Sequence, residues 1–107
     1  MAAAPNVVFK ALADPTRRAI FERLTSSGEQ TVQSLTRHAR VSQPAVSKHL
    51  ALLRRARLVR QRRCGRETHY SARPESLAPL VDWLGVYGAF WRDRFDQLEV
   101  LLERMEP

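Results

Sequence analysis

The residue pattern predicts a mainly α-helical chain with one basic β-hairpin and a long C-terminal helix, built to work as a pair. Apolar residues recur at helical spacing through most of the 107 residues. One stretch, LVRQRRCGRETHYSA, alternates instead and is broken at Gly65. After Pro74 a second, much longer helical stripe runs almost to the end. Residues 1–107 read as a single domain, of a size at which a partner subunit usefully supplements a modest core.

In the first helix, Asn6 to Ala13, the apolar face is Val8, Phe9 and Leu12. Asp14 offers an N-cap and Pro15 a first helical residue for the second helix, whose buried stripe is Ile20, Phe21 and Leu24. The segment SSGE ends it. Thr31 caps a third helix with Val32, Leu35 and Ala39 inward. After a turn at Val41, Ser42 caps a fourth, with Pro44 in its first turn. Val46, Leu50 and Leu53 lie at i, i+4 and i+7, and the same period turns Gln43, Pro44, Ser47, Lys48 and Ala51 outward.

Leu58 and Val59 open one strand and Tyr70 anchors the return, giving a hairpin whose tip holds Arg62, Arg63 and Arg66. From Pro74 to about Met105 a last helix carries Leu77, Leu80, Leu84, Tyr87, Trp91, Phe95, Leu98, Leu102 and Met105 at steps of three and four. Trp83, Val86 and Phe90 add a second apolar strip. Such a helix spans roughly 45 Å, more than so small a domain can cover. It either lies across its own core or buries part of this face against a second copy, and its length favours the second copy.

Net charge is +7, and its placement is informative. Between Arg37 and Arg73 stand eleven basic residues and one acid, Glu67, which leaves the remainder of the chain at −3. A basic middle with acidic flanks is the footprint of a polyanion partner. No run reaches the length of about 18 apolar residues that spans a membrane. The N-terminus carries no secretory pattern. The single cysteine, Cys64, makes no internal disulfide, so a reduced, cytoplasmic setting is expected.

Three helices, a tight turn, a helix, a basic hairpin and a long helix follow one another in the order of a winged helix-turn-helix. In that arrangement the fourth helix presents its N-terminal residues to base edges in the major groove of double-stranded DNA. Small side chains at Pro44, Ala45, Ser47 and Ala51 permit a close approach. Gln43 can pair with an adenine edge, while Ser47, Lys48, His49 and Arg54 are placed for phosphates and the groove. The helix start, capped by Ser42, itself favours a phosphate. The wing arginines Arg62, Arg63 and Arg66 are expected on the backbone or in the adjacent minor groove.

The segments ALADPTRRAIFERL and SQPAVSKHLALLRRARLV, and the Gly-Arg wing ending in Tyr70, resemble the ArsR/SmtB family of dimeric bacterial repressors over nearly the whole chain. The ending FWRDRFDQLEVLL, Phe90 to Leu102, resembles one branch of that family in particular. The resemblance implies that Ser42 to His49 begin the recognition helix and that the first and last helices form the homodimer interface. In this chain that assigns Val8, Leu12, Leu84, Tyr87, Trp91, Phe95, Leu98 and Leu102 to the interface. It further implies a repressor whose operator lies near its own gene, with two-fold related half-sites.

Many members of that family sense metals, and here the sequence departs from them. The third helix, TVQSLTRHARV, has no Cys-x-Cys pair, and the last helix has Asp82, Asp93 and Asp96 but no histidine. His38, His49 and His69 are scattered without ligand spacing. No regulatory metal and no cofactor are expected. Cys64, among Arg62, Arg63 and Arg66, is a possible redox sensor, because positive charge favours the thiolate; an incidental exposed thiol is the commoner case. Trp83, Phe90 and Trp91 border either a small-molecule inducer pocket or, the favoured reading, a packed interface, and the inducer is not legible.

Rival functions fare worse. No nucleophile with an orienting base and no glycine-rich phosphate loop is present, and Ser42, Ser47 and His49 read as cap and DNA-facing groups rather than as a catalytic set. A protein-docking winged helix would show a neutral recognition helix and an uncharged wing. An RNA reader would carry stacking aromatics, whereas the basic segment holds only Tyr70.

Overall fold

The structure, a computed structural model, describes residues 5–105. Helices α1 (Pro5–Ala13) and α2 (Pro15–Ser27) are followed by a short strand β1 (Gln30–Thr31), then α3 (Val32–His38) and α4 (Gln43–Arg55). The hairpin is β2 (Val59–Cys64) and β3 (Glu67–Ala72). A 3-10 turn (Pro74–Leu77) leads into α5 (Ala78–Met105).

Local chemistry sets these boundaries. Asp14 Oδ2 accepts from the Arg17 backbone N–H at 2.9 Å, capping α2 behind Pro15. In the same way Thr31 accepts from the Ser34 N–H at 3.1 Å and Ser42 from the Ala45 N–H at 3.3 Å. The last carbonyls of α1 are taken by arginine side chains of α2: Arg17 Nε donates to Ala11 O at 2.7 Å and Arg18 Nη1 to Leu12 O at 3.1 Å. At the end of α4, Arg57 adopts φ 62°, while Leu58 N–H reaches Leu53 O at 2.9 Å and Arg57 N–H reaches Arg54 O at 3.0 Å. That is a Schellman closure, and it drops Leu58 into the core beside Leu53.

The core is one cluster contributed by α1 to α4 and the base of the wing, with Val8, Leu35, Val46, Leu50, Leu53, Leu58 and Val59 almost wholly buried. The inward stripes expected for α2, α3 and α4 are centred here. One expectation is corrected: Val8 is fully buried in its own chain's core, so it has no surface to offer a partner. Periodicity places Val8 on an apolar face but does not say which apolar surface that face meets. Leu12 is half-buried against the same cluster.

The sheet has three antiparallel strands in the order β1-β3-β2, with pairs from Val59↔Ala72 to Cys64↔Glu67 and a further pairing of Gln30↔Tyr70 and Thr31↔His69. Gly65, at φ +64°, occupies the first central position of the turn, where a left-handed residue is needed. The strand β1 is an addition to the sequence reading, since two residues carry no alternation to detect.

The last helix also differs at its start. The chain makes a 3-10 turn from Pro74, and the α-helix begins only at Ala78. Pro79 lacks the N–H that would continue an α-helical ladder back to residue 75. From there α5 runs 28 residues with none buried. Phe9 of α1 meets Trp83 edge-on at 5.1 Å, and Trp83 lies 4.9 Å from Tyr87. Beyond this α5 leaves the core: Phe95 is 62% and Leu98 49% exposed, and the molecule measures 65 Å along its longest axis. The helix does not lie across its own core.

Candidate nucleic-acid interface

The face of α4 opposite Val46, Leu50 and Leu53 presents Gln43, Pro44, Ser47, Lys48, Ala51 and Arg54 to solvent, with Ser42 exposed at the cap. This outward set follows directly from the helical period. Gln43 and the wing residue Arg66 line a common cleft of about 350 Å³ with Thr31, Gln33 and Thr68. The first turn of α4, the start of α3 and the wing tip therefore converge. Gln33 was not singled out in the sequence. Its exposed place two residues after the Thr31 cap was the available signal.

The wing arginines do not form one group. Arg62 sits beside Glu29, with Nη2 to Oε1 at 2.5 Å and Nε to Oε2 at 3.4 Å, and His69 Nδ1 lies 3.6 Å from the same carboxylate. The hydrogen bonds from Arg62 hold the Glu29 carboxyl below its ordinary 4.5, and the same contact raises Arg62 further. Arg62 thus ties the wing to the segment between α2 and β1, rather than standing free for a phosphate. Arg60 and Arg73 similarly meet Glu75, at 3.4 and 3.3 Å. Arg63, on the alternate face of β2, is exposed, and its Nε donates to Gly65 O at 3.5 Å. Among the described residues Lys48, Arg54 and Arg66 are exposed and make no ion pair.

The side chain of His49, expected at a phosphate, is 20% exposed, and Nδ1 is buried 3.9 Å from Asp14 Oδ2 without a hydrogen bond among the described residues. The ring leans from α4 toward the N-cap of α2 instead of projecting with Ser47 and Lys48. Asp14 is held below its ordinary value chiefly by the Arg17 N–H, with the His49 and Arg17 charges acting in the same sense. Cys64 is a free, exposed thiol at the end of β2, opposite Glu67. No group of three or more His, Cys, Asp or Glu side chains among the described residues is placed to hold a metal ion.

Comparison with known proteins agrees with this geometry. A family profile described as "Helix-turn-helix domain" matches residues 12–62, from the end of α1 into β2. The chain is 49% identical over 76 residues to the HTH-type transcriptional regulator Rv2034 of Mycobacterium tuberculosis, covering 71% of this chain and 70% of that one. It is 33% identical over 102 residues to the arsenical resistance operon repressor of Escherichia coli, covering 94% and 84%. A solved ArsR-like transcriptional regulator from Rhodococcus sp. RHA1 superposes with a TM-score of 0.69 at 33% identity, over 91% of each chain. The chain belongs to the ArsR family of helix-turn-helix transcriptional regulators. As an ArsR-family protein it is a DNA-binding regulator with a winged helix, not an enzyme. No helix among its described residues is long and apolar enough to cross a membrane.

Proposed function

We propose that this ArsR-family chain acts in the cytoplasm as one winged-helix domain per subunit. Two copies pair and repress transcription from a two-fold related operator near their own gene. The observation that carries this reading is the cleft lined by both Gln43 of α4 and Arg66 of the wing, set beside an exposed, capped helix start. A major-groove helix needs short side chains and one amide that reads a base edge, and Gln43, Ser47 and Ala51 supply them. Lys48, Arg54, Arg63 and Arg66 hold the phosphates on either side. Arg62 and His49 support the frame. Pairing uses the apolar stripe of α5, Leu84 to Leu102, with the outer face of α1.

Two kinds of substitution separate these roles. Gln43→Ala or Ser47→Ala reduces discrimination between operator and random DNA by about 1–3 kcal/mol. Arg63→Ala or Arg66→Ala weakens binding to all sequences alike and lowers the salt slope by about one for each lost phosphate contact. Fluorescence titrations at several salt concentrations read both effects. Identical behaviour of the two sets contradicts the assignment of roles.

A further inference from the structure

Between α2 and α3 lies a groove of about 310 Å³, separate from the DNA-facing side of α4 and from the stripe of α5. Its floor is apolar, formed by Ile20, Leu35 and Ala39. The basic side chains that line it are Arg23, His38 and Arg40, and no carboxylate is among the lining residues. Arg23 lines the groove, and its Nε is buried without a hydrogen-bond partner among the described residues. A buried guanidinium N–H without an acceptor is unfavourable, so a small turn of the side chain that brings it to an acceptor in the groove is favoured.

Taken together, an apolar floor, a cationic rim and an unpaired donor match one chemical class. We propose that this groove binds a small organic anion, an apolar body carrying a single carboxylate, with the carboxylate on the Arg23 guanidinium and the body on Ile20, Leu35 and Ala39. The volume falls in the range of small-molecule clefts, about 300–1,000 Å³, and planar guanidinium suits a carboxylate bidentately. The walls are the two helices against which α4 is set, so occupancy shifts the frame of the recognition helix and alters operator affinity. That last consequence rests on the proposed function; the binding itself does not.

The test uses 2-naphthoate as the probe and uncharged 2-naphthamide as its control, with amide NMR of the isotope-labelled protein in the absence of DNA. The expected result is saturable binding with Kd on the order of 1 mM or tighter, shifts centred on Ala19, Ile20, Arg23 and Leu35, and at least tenfold weaker binding of the amide. Arg23→Gln loses the preference for the anion. Ala19→Trp, at an exposed position on the groove wall, blocks it without touching the core. No saturable binding, equal binding of acid and amide, or shifts centred instead on a second groove of about 320 Å³, between α1 and α4 at Val7 and Leu52, would each overturn the site. With binding established, an operator affinity that naphthoate leaves unchanged overturns the regulatory consequence alone.

Discussion

Asp14 and Glu29 each serve two elements with one carboxylate. Asp14 caps α2 and meets His49 of α4, while Glu29 fastens Arg62 of the wing. Because the folded Glu29 titrates below its ordinary 4.5, its contribution to stability is complete above that pH and is lost as pH falls through the lowered value. Glu29→Gln should therefore unfold at a lower temperature than wild type near neutrality, with the difference closing below about pH 4.5. Melting curves from pH 7 to 3 measure it, and a difference independent of pH counts against the pairing. Val8→Ala tests the placement of that side chain in its own chain's core. Removing two buried methyl groups costs roughly 1.5–3 kcal/mol, and the loss is the same at every protein concentration if Val8 belongs to its own core. Neither role was legible in the sequence. Arg62 and Glu29 lie 33 residues apart, and only the strand alternation that separates Arg62 from Arg63 hinted at different duties.

At the scale of elements, α2, α3 and α4 were readable because their signals are local. A cap residue opens each of the three, a proline follows it in α2 and α4, and each carries an apolar stripe at helical spacing, so every signal lies within or next to one helix. The strand β1 and the 3-10 start before α5 were not readable. The first depends on Tyr70 and His69 arriving from the wing, and the second turns on one missing N–H at Pro79. The stripe of α5 was readable, but what covers it, a second copy on the proposed reading, is not written within the helix itself. Leu98→Asp or Leu102→Asp should give a folded monomer by sedimentation, since these positions lie far along the exposed part of α5, and operator binding should be lost with pairing. A monomer that still binds tightly contradicts the interface.

Over the whole molecule, charge and shape divide the labour. The segment from Arg37 to Arg73 carries α4 and the wing, and the remaining chain, including α5, is net acidic. DNA therefore attracts the part of the molecule that carries α4 and the wing, while the exposed stripe belongs to the acidic remainder. Two α4 helices joined through α5 would meet half-sites about 34–36 Å apart, one turn of the duplex. The most direct measurement is a titration of the protein against fluorescent duplex from upstream of its own gene, with a scrambled duplex as control, across a series of salt concentrations. Binding roughly a thousandfold tighter to the upstream duplex, with a steep salt slope, is the predicted result. Equal, weak binding to both duplexes would contradict repression from an operator at its own gene.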